Sequence, residues 1–235
     1  MSRMTGGKAV INSLIAEGVE VVFGVPGFQI MHIYDAFYDS PELRIITARH
    51  EQTAAFMADG YARSTGKVGV VVVVPGPGIY NAGAALSNAY ATSSPVLLIS
   101  GQIDSTAIGK GRGDFHEIHD QRDITRPVTK WSTLVTRATD IPAAIHEAMS
   151  QLKTGRPLPV EVCIPPDVLA DISDIEILEA EEYAPLRAPN EDIEAAAKML
   201  AAASYPLIWA GDGVNLINAG DELLELAELL RAPVT

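Results

Sequence analysis

Apolar runs of strand length alternate with segments of helical period along most of the chain, and this alternation constrains the fold more than any other feature. It predicts helices at 4–17, 29–38, 51–64, 79–91, 117–125 and 140–153, and strands at 20–23, 43–47, 68–74, 95–100, 131–136 and 159–163. The run Val68–Val74 is apolar on both faces, which is typical of a central strand. The pattern therefore predicts an α/β fold, a doubly wound parallel sheet with helices on both faces.

The regular pattern stops in the stretch 165–189, which loses its periodicity and is rich in acidic residues. We expect one domain over 1–168, an acidic linker over 169–189 and the beginning of a second α/β domain over 190–235. In this last part the sequence predicts a helix at 190–203, a strand at 206–210, a helix at 217–230 and the start of a further strand at 232–235. So short a segment cannot cover its own sheet on both sides, so we expect the second domain to be truncated.

Charge and composition exclude several classes of protein. The chain has 17 basic and 30 acidic side chains, a formal net charge of −13, and such a field repels phosphate backbones and anionic lipid headgroups, so no nucleic-acid partner is expected. No apolar run approaches the ~20 residues that a membrane span needs, and the N-terminus lacks a signal-peptide core, so we expect a cytoplasmic protein. The single cysteine, Cys163, lies in an apolar run and is predicted to be a small buried hydrophobic residue.

The stretch 49–63 places a carboxylate, Glu51, where a predicted strand ends and a predicted helix begins. Ligands of open parallel sheets bind at this carboxyl end of the strands. Small residues such as Ala54 and Ala58 recur at helical spacing, which lets the helix lie close to the sheet and holds Glu51 on a rigid support. Taken alone, the position also suits an ordinary first-turn glutamate that is favoured by the helix dipole.

A second turn between a strand and a helix, 74–83, follows the most apolar strand and contains Gly76, Pro77, Gly78 and Asn81. Glycine allows a ligand to approach the backbone closely, and the helix N-terminus behind the turn favours anions. The turn resembles a dinucleotide-binding fingerprint, but Asn81 stands where the third glycine belongs, so a nicotinamide site is a weak alternative.

Several short motifs imitate nucleotide or metal sites, but their spacing fails. Five residues separate Gly60 from Gly66-Lys67, whereas a P-loop has four. His116 and His119 are about one helical turn apart, but no third ligand cluster supports them, so loop histidines without a metal are favoured. We therefore assign no metal ligand in this chain.

Six stretches, taken in order, resemble the pyrimidine-binding domain of thiamine-diphosphate (ThDP) enzymes, most closely that of the acetolactate synthase group. They are Val22–Gly27, Arg49–Arg63, Gly76–Asn81, Pro95–Gln102, Arg126–Trp131 and Gly155–Pro165. The later stretch Tyr205–Val214 resembles the start of the family's central domain. Its Gly211-Asp212-Gly213 is therefore not taken as the Gly-Asp-Gly motif with which the family's diphosphate-binding domain holds magnesium.

The resemblance implies ThDP as a cofactor and gives Glu51 a chemical role. In this family a glutamate hydrogen-bonds a ring nitrogen of the pyrimidine and promotes loss of the thiazolium proton, and Glu51 matches that glutamate. The other cofactor-binding positions that the resemblance implies are Pro26, Gly27, Gly76, Pro77 and Asn81. Mg²⁺ would be bound by a C-terminal domain that this chain lacks.

The resemblance also implies a substrate pocket lined by Phe28, Phe115, His116 and Lys130. Phe28 stands where many relatives have a smaller or polar residue, and His116 stands where acetolactate synthases typically have glutamine, so the identity of the 2-oxo acid is left open. Arg156 matches an arginine that contacts FAD in acetolactate synthases, but related decarboxylases keep a similar turn without flavin. FAD is therefore an open expectation.

Three functions remain open at this point. The first is part of an acetolactate synthase-like enzyme that condenses 2-oxo acids with loss of CO₂. The second is a ThDP-dependent 2-oxo acid decarboxylase without flavin, and the third is a short non-catalytic subunit or binding module. In the full enzyme a second copy of the chain would complete the active site, so the isolated chain is expected to be inactive.

Overall fold

The computed structural model describes residues 1–183 and 187–235, and the chain divides into two compact units, Met1–Pro185 and Leu186–Thr235. The strands of the first unit are β1 (Ser2–Thr5), β2 (Val21–Gly24), β3 (Arg44–Thr47), β4 (Gly69–Val73), β5 (Val96–Gly101), β6 (Trp131–Leu134), β7 (Val160–Ile164) and β8 (Ile172–Ile175). Six of them form one sheet in the order β3-β2-β4-β5-β7-β6, and every neighbouring pair is parallel.

Helices connect the strands of this sheet, as the β-α alternation predicts. They are α1 (Gly6–Ala16), α2 (Met31–Phe37), α3 (Glu51–Thr65), α4 (Pro77–Ala91), α5 (Gln121–Thr125), α6 (Ile141–Lys153) and α7 (Pro166–Ala170). Short 3-10 turns cover Phe28–Ile30, Arg126–Val128 and Ala138–Asp140. One core packs α1, α2 and α6 against the sheet, and a second core packs α3 and α4 against it. Two separate cores confirm the predicted layers of helices on both faces.

Small residues bring α3 close to the sheet, as the sequence predicts. Ala54, Ala55, Ala58 and Ala62 are all buried on the inner face of this helix. At Gly69, the first residue of β4, an added Cβ would lie 2.1 Å from the carbonyl oxygen of Ala58. The backbones of α3 and β4 therefore lie very close together at Ala58, which leaves the helix little room to shift on the sheet.

The structure adds two elements that the sequence pattern does not predict between 165 and 189, α7 and β8. Strand β8 pairs antiparallel with β1, with Ser2 opposite Ile175 and Thr5 opposite Ile172. β1 falls partly inside the helix predicted at 4–17, which begins only at Gly6. A pairing between residues so far apart in sequence leaves no local periodicity, so single-sequence reasoning misses it. The linker assigned to 169–189 stays a prediction, although β8 lies within it.

Helix α5 is also shorter than predicted, because it begins at Gln121 rather than near 117. The Asp120 side chain accepts a hydrogen bond from the backbone N–H of Arg122 at 3.0 Å and so caps the helix at this point. Residues before it form a loop that folds back over the carboxyl edge of the sheet.

The second unit contains α8 (Asn190–Ala202), α9 (Gly213–Leu216) and α10 (Gly220–Leu230). The strands predicted at 206–210 and 232–235 are reduced to one parallel bridge, Ile208 to Val234. The helices predicted at 190–203 and 217–230 are present with shifted ends. Among its described residues only Ala227 and Ala232 are buried hydrophobics, which matches a unit with too little sheet to form a large core.

Within residues 1–183 and 187–235, every helix is too short or too polar to cross a membrane.

Candidate active site

The carboxyl ends of β2, β3 and β4 meet at one edge of the sheet and bring most of the predicted site residues together. Pro26 and Gly27 follow β2, Glu51 follows β3, and Gly76 and Pro77 follow β4. Residues from three neighbouring parallel strands thus share the edge at which such sheets bind ligands.

Glu51 is the first residue of α3, where the backbone N–H groups of the first turn favour a carboxylate. The preceding residue, His50, caps the helix, and its Nδ1 accepts a hydrogen bond from the backbone N–H of Gln52 at 3.1 Å. The Oε2 atom of Glu51 accepts a hydrogen bond of 2.9 Å from Nδ2 of Asn81. No described residue donates a hydrogen bond to Oε1, so this atom is available to a ligand.

The Gly76 turn fixes Asn81 opposite Glu51. Gly76 has φ +58° and ψ −109°, a backbone conformation that strongly favours glycine, and it immediately precedes α4. Pro77 is the first helical residue, a position that suits its fixed φ angle and missing N–H. At Gly78 an added Cβ would lie 3.7 Å from Oε1 of Glu51, so the first turn of α4 passes close to the carboxylate.

Tyr34 is a candidate site residue that the sequence analysis misses. Its Oη atom is buried and has no hydrogen-bond partner among the described residues, and an added Cβ on Gly24 would lie 2.4 Å from it. Burial, and after it the negative charge of Glu51, raises the pKa of the Tyr34 hydroxyl well above its ordinary value. An unsatisfied hydroxyl near the Glu51 carboxylate is the kind of group that a bound ligand satisfies. In the sequence Tyr34 looks like an ordinary residue of an amphipathic helix.

Three of the four predicted substrate-pocket residues also lie at the carboxyl edge. Phe28 and Phe115, both exposed, line an open cleft of about 400 Å³. The ring of His116 stacks on that of Phe115 with centroids 3.9 Å apart, and an added Cβ on Gly76 would lie 2.6 Å from the His116 carbonyl oxygen. The loop before α5 therefore reaches the Gly76 turn. The cleft is lined by Phe28, Gln29, Ile103, Asp104, Asp114, Phe115, Pro166 and Asp167.

Lys130 does not share this site. It lies just before β6, and its backbone N–H donates to the carbonyl oxygen of Pro159, which precedes β7, so it lies at the amino edge of the sheet. Its Nζ donates to three carbonyl oxygens at the end of α6, those of Gln151, Thr154 and Arg156. The length of the strands separates the two edges, about 15 Å for five residues. Within this chain, the expectation that Lys130 joins Phe28 and Phe115 is corrected.

Arg156 also lies near the amino edge, ahead of β7, and its Nε donates to Oγ of Ser93 at 2.9 Å. The structure therefore does not bring it to the Gly76 turn or to Glu51. Its contact with FAD stays a prediction.

No metal centre is apparent in the described part of the chain, where no three or more His, Cys, Asp and Glu side chains are grouped as ligands. Binding of Mg²⁺ by sequence outside this chain stays a prediction.

Comparisons with protein families match the two units in order. Residues 4–124, just over half of the chain, match the model of the N-terminal TPP binding domain of thiamine pyrophosphate enzymes, thiamine pyrophosphate being another name for ThDP. Residues 193–235 match the model of the central domain of the same enzymes. The first match contains Glu51, the Gly76 turn and Asn81.

Curated relatives are similar to this protein over nearly the whole length of the chain. The acetolactate synthase large subunit of Haemophilus influenzae is 41% identical over 242 residues, covering 100% of this chain and 42% of the relative. A probable 2-ketoarginine decarboxylase of Pseudomonas aeruginosa is 41% identical over 233 residues, covering 98% of this chain and 41% of the relative. A probable acetolactate synthase large subunit of Methanocaldococcus jannaschii is 40% identical over 238 residues, covering 98% of this chain and 40% of the relative.

This chain thus spans about two fifths of the length of the relatives that it matches. With the parallel sheet, the Glu51 site and the two family models in agreement, the chain belongs to the acetolactate synthase-like thiamine pyrophosphate enzymes and contains their N-terminal cofactor-binding domain.

Proposed function

We propose that this chain is the N-terminal part of a ThDP-dependent enzyme that condenses 2-oxo acids with loss of CO₂, most like acetolactate synthase. The observation that carries the proposal is the hydrogen bond between Asn81 and Oε2 of Glu51, which leaves Oε1 without a donor at the ligand-binding edge. The acetolactate synthase subunits among the relatives support the same reaction class.

The residues at this edge fit the pyrimidine ring of ThDP. A ring nitrogen needs a partner that can share a proton, and Oε1 of Glu51 is such a group. Gly76 and Gly78 let the turn pack tightly beside the carboxylate, because an added Cβ would meet the His116 carbonyl oxygen at Gly76 and the Val74 side chain at Gly78. Tyr34 offers a hydroxyl that lacks a partner among the described residues.

When bound, ThDP supplies an acidic thiazolium carbon and an electron sink for the decarboxylation of a 2-oxo acid. The chain supplies the group that activates it. Glu51 would hold a proton at Oε1 for the pyrimidine nitrogen, while Asn81 binds Oε2 and keeps the carboxylate from rotating away. The Gly76 turn sets the distance between the two side chains, because Asn81 lies on the helix that this turn begins.

Further parts of the proposal concern groups that this chain does not complete. Mg²⁺ would be held by a later domain of the full-length protein, and Arg156 would contact FAD if the enzyme carries flavin. A second copy of the chain would close the carboxyl edge, and the enzyme would work in the cytoplasm without a nucleic-acid partner or a membrane.

A second candidate is decarboxylation of a 2-oxo acid without flavin and without condensation. The cleft beside Phe28 and Phe115 favours it, because Asp104, Asp114 and Asp167 line the cleft together with the two phenyl rings. Carboxylates and aromatic faces both attract cations, so this cleft suits a 2-oxo acid with a positively charged side chain. The probable 2-ketoarginine decarboxylase among the relatives agrees with this candidate.

Product analysis of the full-length protein with ThDP and Mg²⁺ separates the two candidates. Acetolactate from pyruvate alone supports the condensing enzyme, whereas acetaldehyde supports a decarboxylase. Release of CO₂ from 2-ketoarginine, with none from pyruvate, supports the second candidate.

Substitution of Glu51 tests the assignment that both candidates share. Glu51→Gln should lower turnover of the preferred 2-oxo acid by at least about a hundredfold, the scale of a lost general acid–base group. The control is Glu191→Gln, which replaces an exposed first-turn glutamate on α8. Equal turnover of wild type and Glu51→Gln would refute the role of Glu51.

A further inference from the structure

A carboxyl group lies in the middle of the parallel sheet and has no part in the site described above. Glu161, in β7, is 0% exposed, although buried carboxylates are rare in proteins unless they are paired. Its Oε1 accepts a hydrogen bond of 2.7 Å from Oγ of Ser100 in β5. Its Oε2 accepts one from the hydroxyl of Thr125 in α5. Both partners are neutral hydroxyl groups and both donate to the carboxylate.

These contacts extend through Gln121 to the Gly76 turn. The Nε2 atom of Gln121 donates to Oγ of Ser100 at 3.2 Å and to the carbonyl oxygen of Gly101 at 2.7 Å. Its Oε1 atom accepts a hydrogen bond of 3.4 Å from the backbone N–H of Gly76. The donors from Gly76 to Glu161 therefore all point the same way, toward the carboxylate, and such a chain of hydrogen bonds is mutually strengthening.

The same series of hydrogen bonds holds helix α5 at two points. Gln121 and Thr125 are four residues apart, so they lie on one face of α5, and both are buried. That face is anchored by Ser100, near the carboxyl end of β5, and by Glu161, the second residue of β7. The amide of Gln121 then bridges from this anchor to Gly76, which precedes the helix that carries Asn81.

We propose that Gln121 and Glu161 are positioning residues that hold the Gly76 turn, and through it Asn81 and Glu51, in the orientation that cofactor activation requires. This inference rests on the proposed function of Glu51. Neither side chain is hydrogen-bonded to Glu51 or Asn81. Their effect passes through the backbone N–H of Gly76, whose acceptor, Oε1 of Gln121, belongs to an amide that Ser100 links to the buried carboxylate.

The first test needs no cofactor and measures hydrogen–deuterium exchange of the Gly76 amide in the full-length protein. Gln121→Met keeps the volume of the side chain but removes the acceptor for the Gly76 N–H. We expect exchange at Gly76 to become at least about tenfold faster, because a fixed hydrogen bond is lost from the closed state. The matched control is Ser40→Ala, which removes a buried hydroxyl that donates to the carbonyl oxygen of Ala36 in α2 and takes no part in these hydrogen bonds. Unchanged exchange at Gly76 in Gln121→Met overturns the proposal.

The second test follows exchange of the thiazolium proton of bound ThDP for deuterium. Gln121→Met should slow this exchange and lower kcat by about tenfold, with KM for the 2-oxo acid little changed, because the lost contact orients Glu51 and not the substrate. Ser100→Ala interrupts the same series of hydrogen bonds with a small change in volume. It tests the positioning role if Gln121→Met does not fold.

Glu51→Gln is run in parallel, because it separates failure of this inference from failure of the proposed function. Normal thiazolium exchange in Glu51→Gln would refute the proposed function itself. Suppressed exchange in Glu51→Gln, with normal exchange in both Gln121→Met and Ser100→Ala, would refute only the positioning role. Slowed exchange in all three variants, with Ser40→Ala like wild type, supports both.

Discussion

The buried carboxyl of Glu161 should make the stability of the protein depend on pH in a defined window. Burial in the sheet, the largest effect, raises the pKa of Glu161 from 4.5 to about 7, although hydrogen bonds from Thr125 and Ser100 oppose the rise. Two nearby charged groups have opposite effects on the pKa of Glu161: Arg122 lowers it and Asp120 raises it. In the unfolded chain the same carboxyl titrates near its ordinary value.

The sign and size of the effect follow from proton linkage. Between pH 4.5 and about 7 the folded state keeps the Glu161 proton while the unfolded state has released it, so folding becomes less favourable as pH rises through this window. Above the folded pKa both states are ionised and the cost is constant. The difference between the folded and unfolded pKa values of Glu161 corresponds to a change of about 3 kcal/mol in the free energy of unfolding.

Glu161→Gln removes this titration with little change in volume. The free energy of unfolding, measured by urea denaturation from pH 4 to 8 for the full-length protein, should fall by about 3 kcal/mol more in wild type than in the variant. The exposed Glu42→Gln serves as control, and its difference from wild type should not follow this course. If the difference between wild type and Glu161→Gln does not change with pH, Glu161 is not a buried group with a raised pKa and the reasoning is refuted.

Three further substitutions test individual contacts. Lys130→Met removes an ammonium that donates to three carbonyl oxygens, so it should lower the free energy of unfolding by about 1 kcal/mol, measured by denaturation. KM for the 2-oxo acid should not change. A raised KM would place Lys130 back in the substrate pocket. Gly76→Ala should lower the free energy of unfolding by about 1–3 kcal/mol, because the new Cβ meets the carbonyl oxygen of His116 and Gly76 has a φ of +58°. A thermal melt measures the loss, and an unchanged melting temperature would contradict it. Lys153→Met leaves the buried carboxylate of Glu17 without its ammonium partner, and about 2 kcal/mol should be lost from the free energy of unfolding in urea denaturation. Glu17→Gln should be less harmful, because the ammonium that it leaves unpaired is 31% exposed to solvent.

Much of the fold could be predicted because each strand and helix of the parallel sheet has its own periodicity. The run of valines before the Gly76 turn has apolar side chains on both faces, which occurs only where helices cover both sides of a strand. Strand β8 could not be predicted in the same way. It pairs with residues near the N-terminus, and Ile172–Ile175 has four residues with no apolar–polar alternation, so local propensity does not distinguish it from a loop.

The position of a site residue could be predicted where it follows from the order of strands and turns along the chain. It could not be predicted where it depends on how side chains pack. Glu51 and the Gly76 turn each follow a strand directly, so a parallel sheet must bring them to one edge. Lys130 and Arg156 precede their strands, and the same rule, applied strictly, would have placed them at the opposite edge. The link between Glu161 and its partners was hidden, because Ser100 lies 61 residues away and Thr125 lies 36 residues away.

The energetics of Glu161 favour a positioning role over a purely structural one. A carboxylate at this place costs about 3 kcal/mol at neutral pH, whereas an apolar side chain of similar volume would fill the same space without that cost. An apolar residue, however, could not accept hydrogen bonds from Ser100 and Thr125. The hydroxyl of Ser100 would then be free to rotate toward Gln121, and the Gln121 amide would be held only by the Gly101 carbonyl oxygen and the Gly76 N–H. An ionised Glu161 can only accept, so Ser100 donates to it and keeps its own oxygen as an acceptor for Gln121. Together with Gly101 this keeps Oε1 of Gln121 toward Gly76, an orientation that the Gly76 turn needs if Asn81 is to keep Glu51 in place.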